Sequence, residues 1–244
     1  MENKTIILGT RGSRLALVQA ENVKGMLQSA FPSLDVTLKI IKTEGDRDLT
    51  SPLTDFGGRG AFVRTIELAL LHCEIDIAVH SLKDLPSQLP EGLCLGAAPE
   101  RKDIRDVLIS TSGKNLETLP PESIIATGSD RRKVQIGYAR SDVTFAGIRG
   151  NIETRLRKLE TEDIDAVIMA AAGLHRLGLE SKITQYLEPE IVLPAPCQGA
   201  LGIECRINDS TTREILTEID NSDVRICVDA ERTFIATLGM GCHT

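Results

Sequence analysis

The sequence predicts an α/β protein built from two similar domains, with mostly parallel sheets and a double hinge. Short apolar runs alternate with helical repeats along the 244 residues, as is typical of strands joined by crossover helices. The alternation restarts near residues 99–105, and the chain exceeds the ~100–150 residues of a typical single domain. A connection containing Pro189, Pro194 and Pro196 precedes one more strand and helix. The chain is therefore expected to cross between the domains twice.

The first set of elements begins with a strand at residues 5–8 and a helix at about residues 13–29. Apolar residues recur every three to four positions in that helix, and Ser13 stands at its N-cap position. The polar stretch at residues 43–60 is uncommonly long for a loop unless it forms a lid or is disordered. The other elements predicted in this set are a strand at 36–41, a helix at 63–71, and strands at 75–80 and 93–97.

The second set repeats the alternation. Its predicted strands lie at 106–110, 124–127, 143–145 and 166–170, and its helices at 129–139, 152–159 and 171–177. A strand at 200–206 and a helix at 211–219 follow the proline-rich connection, which predicts a return to the first domain. A last helix at 223–238 runs towards Cys242. The domains are therefore expected at 1–99 with 200–219, at 105–193, and at 222–244.

Composition narrows the function classes. The net charge of −7 and the scarcity of aromatic residues, with no Trp, argue against a nucleic-acid partner. The six Cys include no Cys-x-x-Cys pair, and the four His show no zinc-ligand spacing, so reduced thiols and no metal site are expected. We find no segment with the length of a signal peptide or a membrane span. A cytoplasmic protein is therefore expected.

Arginine-bearing turns follow several predicted strands. Arg outnumbers Lys by 18 to 10 in this acidic chain. Thr10-Arg11-Gly12-Ser13 lies between a strand and a helix, and residues Thr127–Arg132 repeat that arrangement in the second set. Arg149-Gly150-Asn151, followed by Arg155, does so again. Each Arg alone could be a surface cation, but together they predict a cleft whose guanidinium groups bind a ligand with several carboxylates.

Two further motifs carry reactive groups. Lys83 and Asp84 follow the buried strand at 75–80, at the end of a strand where ligands gather in parallel sheets. Asp84 could donate or accept a proton or stabilise a developing cation, and the alternative is a solvated pair in a turn. Cys242 follows Gly241 beyond the last helix. It could be a nucleophile or a point of covalent attachment, although most Cys of this kind are inert.

Taken together, these segments resemble the porphobilinogen deaminase (hydroxymethylbilane synthase) family from residue 6 to the end of the chain. The motifs that carry the resemblance are Thr10-Arg11-Gly12-Ser13 with Leu15-Ala16-Leu17 and Gln19-Ala20, Gly57-Gly58-Arg59-Gly60, the run from Asp76 to Asp84, Arg131-Arg132, Arg149-Gly150-Asn151 with Thr154-Arg155-Leu156, Ala172-Gly173-Leu174 with Arg176-Leu177-Gly178, Gln198-Gly199-Ala200, and Gly241-Cys242. The run ending at Asp84 and the Gly-Cys pair are the most specific of them.

The resemblance implies two domains similar to periplasmic binding proteins and a third α+β domain that carries a dipyrromethane cofactor, thioether-linked to Cys242. Asp84, with Lys83, would assist loss of ammonia from porphobilinogen and stabilise the resulting azafulvene cation. Four additions and a hydrolysis would release a linear tetrapyrrole for haem biosynthesis, which makes the protein a transferase. The residues expected to bind the cofactor and its acetate and propionate groups are Arg11, Ser13, Ser81, Lys83, Asp84, Thr127, Ser129, Arg131, Arg132, Arg149, Arg155, Arg176 and Gln198. The loop at Gly57–Gly60 would be a mobile lid.

The sequence departs from the family pattern in several places. Gly128 and Asp130 replace Ser and Leu before Arg131, Arg59 replaces Lys, and Met240 replaces Gly. The chain also stops at Thr244, so we expect a truncated third domain, little bound cofactor and poor turnover. A monomer that binds neither nucleic acid nor membrane is expected. The alternative is a non-catalytic, two-lobed carboxylate-binding protein, which would leave Asp84 and Cys242 without a task.

Overall fold

The computed structural model describes residues 5–42 and 63–239. The described residues divide into two compact units. The first contains the residues up to Arg101 together with those from Ala200 onward, and the second runs from Lys102 to Gly199. The chain thus passes between the units twice. Within the described ranges, every helix is too short or too polar to cross a bilayer.

The first unit contains a five-stranded sheet with helices on both faces. Its elements are β1 (Thr5–Thr10), α1 (Arg14–Ala30), β2 (Asp35–Ile40), α2 (Arg64–Leu71), β3 (Ile77–Ser81), β4 (Leu93–Ala97), β10 (Leu201–Arg206), α6 (Ser210–Thr217) and α7 (Ser222–Leu238). The strand order is β2-β1-β3-β10-β4. β1 pairs in parallel with β2 and β3, whereas β10 is antiparallel to both β3 and β4. Four of the five strands therefore run in one direction.

The second unit repeats this plan. Its elements are β5 (Asp106–Ser110), β6 (Ile124–Ala126), α3 (Asp130–Ala139), β7 (Thr144–Ala146), α4 (Ile152–Thr161), β8 (Ala166–Ala170), α5 (Ala171–Leu177) and β9 (Gln185–Leu187). The strand order is β7-β6-β8-β5-β9, and β5 is the reversed strand. In each sheet the reversed strand is the first strand that follows a crossing: β5 follows the first crossing and β10 follows the second. The predicted α/β class, with similar and mostly parallel sheets, is confirmed.

Aliphatic side chains form the cores, as the scarcity of aromatic residues requires. In the first unit Leu8, Leu27 and Ile203 are buried on one face of the sheet, and Ile66 and Leu70 are buried on the other. The second unit likewise has one buried cluster on each face of its sheet. Helix α7 contributes only Val228 to the buried residues. Its described residues group with the first unit, and the assignment of residues 222–244 to the start of a third domain stays a prediction.

One crossing requires glycine. Gly199 has a φ of +87°, a left-handed conformation that favours glycine. Its carbonyl accepts a hydrogen bond of 3.2 Å from the Lys102 amide, so the outgoing and returning segments pair with each other. A Cβ at this position would collide with the carbonyl oxygen of Lys102 and would lie 3.1 Å from that of Asp103. Both backbone conformation and space therefore exclude a larger residue.

Three ionisable side chains are buried together beneath α2. His80 Nε2 lies 3.2 Å from Glu204 Oε2, and both side chains are almost fully buried. Glu67 of α2 is 8% exposed, and its pKa is raised to about 7 by burial and by the charge of Glu204, against the opposing effect of His80 and Arg64. Ionisation of Glu67 therefore costs free energy, because its carboxylate would be buried close to the carboxylate of Glu204.

We expect Gly199→Ala to lower the free energy of unfolding by about 1–3 kcal/mol, because the new Cβ meets backbone oxygens at a positive φ. Thermal unfolding followed by circular dichroism measures the loss. Gly25→Ala is the matched control: this helical glycine has open space around its Cβ position and should be neutral or slightly stabilising. Equal melting temperatures for Gly199→Ala and the wild type would contradict the prediction.

We expect Glu67→Gln to stabilise the protein at pH 8 by about 1–3 kcal/mol and to have little effect near pH 4. The unfolded carboxyl, with its ordinary pKa of 4.5, loses its proton before the folded one, whose pKa is about 7. The contribution of Glu67 to the free energy of unfolding therefore falls as pH rises from 4.5 to about 7. The uncharged amide of Gln removes this loss. Urea unfolding at both pH values, with the exposed Glu21→Gln as control, measures the difference. An equal increase in the free energy of unfolding at both pH values would contradict this explanation.

Candidate functional site

The carboxyl end of β1 carries the first arginine turn. β1 and β3 are parallel neighbours, with Gly9 opposite Ala78, so the turns that follow them lie at the same edge of the sheet. Ser13 caps α1 by accepting a hydrogen bond of 3.3 Å from the Ala16 amide, as predicted. The first turn of α1 contains no acidic residue. Arg11 therefore stands at a helix N-terminus, whose dipole favours an anion.

The carboxyl end of β3 carries Asp84. Residues Leu82–Asp84 form a single turn of 3₁₀ helix. Leu82 is buried, and its amide donates to the Ala200 carbonyl at 3.0 Å, which anchors the turn to the start of β10. Gln19 of α1 donates to Ser81 Oγ at 2.8 Å. With the turn held in this way, Lys83 is half-buried and Asp84 is exposed.

Helix α7 holds the segment that follows Asp84. Arg232 donates to the carbonyls of Pro86 at 2.8 Å and Ser87 at 2.9 Å. Arg101, the last residue before the first crossing, forms an ion pair of 2.5 Å with Glu231. The described part of α7 is thereby fixed both to the Asp84 segment and to the crossing. No local sequence pattern indicates these contacts, because the partners are more than 120 residues apart.

The second unit has the corresponding turn after β6. Thr127 is buried, and its Oγ1 accepts from the Ser129 amide at 3.2 Å. The added charge of Asp130 is exposed and paired with Lys133 at 3.0 Å. Arg131 and Arg132 follow in the first turn of α3. The binding of a ligand by Thr127 and Ser129 stays a prediction.

Asp106, which the sequence analysis did not select, organises this turn. Its carboxylate has no exposed surface and accepts from Arg132 Nη2 at 2.6 Å and from Gln198 Nε2 at 3.0 Å, while Arg131 Nη2 lies 2.8 Å from its other oxygen. Burial opposes ionisation of Asp106, but the charges of Arg132 and Arg131 outweigh it and hold the pKa below its ordinary value. The sequence does contain a signal for this role: Asp106 begins a strand whose next residues, Val107–Ile109, are all apolar. An acidic residue buried in such a strand must have a cationic partner.

The remaining arginines occupy different settings. Arg149 is exposed in the segment that follows β7. Arg155 Nε donates to the Gly150 carbonyl at 2.9 Å, next to Asn151, which caps α4. Arg176 Nη2 donates to the Gly199 carbonyl at 2.7 Å, and burial lowers the pKa of Arg176 to about 10. Arg176 therefore still carries its charge at neutral pH.

The structure groups the predicted residues by unit. In the first unit Arg11, Ser13, Ser81, Lys83 and Asp84 belong to the adjoining ends of β1 and β3. In the second unit the residues lie in several settings. The turn after β6 and the start of α3 carry Thr127, Ser129, Arg131 and Arg132, the segment after β7 and helix α4 carry Arg149 and Arg155, helix α5 carries Arg176, and Gln198 lies just before the second crossing. Cys242 and the segment Gly57–Gly60 lie outside the described residues. In the described part of the chain, we find no group of three His, Cys, Asp or Glu residues suited to a metal ion.

Solved structures with a similar fold include solute-binding proteins. The methionine-binding protein MetQ aligns with a TM-score of 0.53 at 13% identity, covering 94% of this chain and 95% of that one. A putative methionine-binding lipoprotein from Bacillus subtilis aligns with a TM-score of 0.51 at 12% identity, covering 91% and 93%. At these identities the likeness shows the fold alone. The expected similarity to periplasmic binding proteins is confirmed at that level.

Sequence relatives identify the family. A sequence profile described as "Porphobilinogen deaminase, dipyromethane cofactor binding domain" matches residues 6–214. The porphobilinogen deaminase of Syntrophobacter fumaroxidans is 48% identical over 243 residues, which cover 100% of this chain and 79% of that protein. The porphobilinogen deaminase of Paenibacillus macerans is 49% identical over 247 residues, covering 100% and 76%. The chain belongs to the porphobilinogen deaminase family.

Proposed function

We propose that this protein is a porphobilinogen deaminase, a transferase that deaminates porphobilinogen and joins four units head to tail into hydroxymethylbilane for tetrapyrrole biosynthesis. The observation that carries the proposal is the placement of Asp84. Its carboxylate is exposed at the carboxyl end of β3, next to Lys83 and at the same sheet edge as the Arg11 turn. An acid beside groups that bind anions matches a substrate with two carboxylates and an amine that must leave as ammonia.

Substrate binding in the first unit would use the start of α1. Arg11 and the amides of the first turn of α1 offer positive charge and hydrogen-bond donors to an acetate or propionate group. Ser13 already accepts from the Ala16 amide, so its hydroxyl hydrogen can be directed at the ligand. Lys83 adds a cation on the other side of the same sheet edge. The bound substrate would thus be oriented by its acids, leaving its aminomethyl group to Asp84.

Asp84 would act on the reacting atoms. As the carbon–nitrogen bond of the aminomethyl group breaks, ammonia leaves with the bonding electron pair and the pyrrole becomes a cation. A carboxylate close to the pyrrole N–H stabilises that cation, and the stabilisation grows when water is excluded. Asp84 could also move a proton to the departing nitrogen. The rigid 3₁₀ turn would hold the carboxylate in place during both events.

The second unit would hold the acids of the covalent cofactor. Dipyrromethane is the cofactor of this family, and when bound through Cys242 it would supply the free pyrrole carbon at which the product grows. The donors present fit such a group, because guanidinium forks and short polar turns suit clustered carboxylates. Arg131, Arg149 and Arg155, with Thr127 and Ser129, are proposed to contact it. Arg132, Gln198 and Arg176 donate to Asp106 or to Gly199, so we propose that they act chiefly by positioning.

We also propose a cytoplasmic monomer that binds neither nucleic acid nor membrane. The net charge of −7 supports the proposed absence of nucleic-acid and membrane binding, since polyanionic surfaces repel an acidic protein. The alternative of a non-catalytic carboxylate-binding protein is not favoured. Its support comes from folds at 12–13% identity, whereas the relatives at 48–49% identity are deaminases.

We expect exposure to porphobilinogen to add the mass of two pyrrole units to the protein, and Cys242→Ser to abolish the addition. Intact mass spectrometry measures it. Cys227→Ser is the matched control, because Cys227 is an exposed thiol on α7 and should leave the adduct intact. An adduct that survives in Cys242→Ser, or one that Cys227→Ser abolishes, would contradict the proposed attachment.

We expect Asp84→Asn to lower kcat by about 10²–10⁴-fold with a much smaller change in KM, because an amide can neither transfer the proton nor balance the cation. Ammonia release from porphobilinogen measures the rate. Asp163→Asn, which also removes an exposed carboxylate, should leave it unchanged. The role assigned to Asp84 fails if its asparagine variant keeps near-normal kcat.

A further inference from the structure

Asp106 joins three segments of the second unit that are distant in sequence. It opens β5, the strand that enters this unit from the first crossing. Its partners Arg131 and Arg132 begin α3, and its partner Gln198 stands at the end of the unit. Asp106 is paired with Ala170, the last residue of β8, so it lies at the edge where the parallel strands end. A buried carboxylate thus occupies the sheet edge that carries the proposed anion-binding arginines.

The two oxygens of Asp106 have different partners. Oδ1 accepts from Arg132 Nη2 at 2.6 Å, Arg132 Nε at 3.1 Å and Gln198 Nε2 at 3.0 Å. Oδ2 lies 2.8 Å from Arg131 Nη2. Arg132 also donates Nη1 to the Ile168 carbonyl at 3.0 Å, and its side chain is 8% exposed. Arg132 is therefore part of the interior, whereas Arg131 adjoins the other oxygen.

Arg131 is held from two sides. Its Nη2 faces Asp106, and its Nη1 donates to the Leu193 carbonyl at 2.5 Å. Two guanidinium groups and one carboxylate leave one net positive charge at the start of α3. Burial disfavours the charge of Arg131, and Asp106 compensates for part of that cost. The arrangement therefore holds the Arg131 guanidinium in a fixed orientation and leaves one net positive charge, which favours an anionic ligand.

We infer that Asp106 is a positioning residue, which fixes Arg131 for binding a carboxylate of the ligand and neutralises Arg132. This inference rests on the proposed function, because it takes the ligand to be the acidic pyrrole substrate or its anchored product. Asp106 does not touch the ligand. Through Gln198 it also ties the orientation of the arginine pair to the segment by which the chain leaves this unit.

The test is a double-mutant cycle of Asp106→Asn and Arg131→Gln. Intact mass spectrometry measures the fraction of each of the four proteins that carries the Cys242 adduct, and KM and kcat for porphobilinogen are measured on the holoenzymes. We expect each single variant to raise KM about tenfold or more with a smaller change in kcat. The KM of the double variant should not exceed that of the more impaired single variant, because Arg131 contributes little to binding once Asp106 no longer holds it. Asp142→Asn is the control. It breaks the exposed Arg140–Asp142 pair of the same unit and should leave both constants unchanged.

Additive effects on KM, or a normal KM in Asp106→Asn, would overturn the inference and leave the proposed function standing. A wild-type holoenzyme that neither binds nor converts porphobilinogen would overturn both. If Asp106→Asn does not fold, Gln198→Leu takes its place in the cycle. Gln198→Leu removes one neutral donor to Asp106 and should raise KM a few-fold. This increase should not add to the increase caused by Arg131→Gln. Additive increases in KM would again overturn the inference.

Discussion

The directions of the strands determine which edge of each sheet carries the polar turns. Four strands of each sheet run the same way, so their carboxyl ends share one edge, and the turns there carry Arg11, Asp84 and Arg131. The reversed strand of each sheet begins at that same edge. Leu201 at the start of β10 pairs with Ser81 at the end of β3, and Asp106 at the start of β5 pairs with Ala170 at the end of β8. Each crossing therefore delivers the chain to the edge that carries the polar turns.

This coincidence explains why the second crossing and the proposed binding residues of the second unit belong to one hydrogen-bond network. Gly199 O accepts from both Lys102 N and Arg176 Nη2, and Gln198 donates to Asp106. A crossing whose residues bonded only to each other would do no more than connect the two units. Here the same few hydrogen bonds fix the path of the chain and the orientation of the guanidinium groups, so a backbone change at Gly199 and a charge change at Asp106 act on one connected network.

Local patterns predicted most of the elements. The strands at 93–97, 106–110 and 166–170 match the structure to the residue, because each is a short apolar run bounded by turn residues or by the next helix. β9 was not predicted because its three residues begin with Gln185 and do not form an apolar run. The division of labour among the arginines was not readable either. Arg132 is 26 residues from Asp106 in sequence and Gln198 is 92 residues away, and only folding brings them together.

The cost of buried charge then separates two kinds of arginine. A guanidinium removed from solvent requires acceptors within the protein. Arg132 donates to Asp106 and to the Ile168 carbonyl, and the half-buried Arg176 donates to the Gly199 carbonyl. Their forks are committed before any ligand arrives, even though Arg176, with a pKa of about 10, remains charged. Arg131 has one carboxylate to share with Arg132, so the pair stays one negative charge short. In the proposed function, an anionic ligand would supply that missing charge. Because the fold provides only one carboxylate for two guanidinium groups, it favours binding of such a ligand.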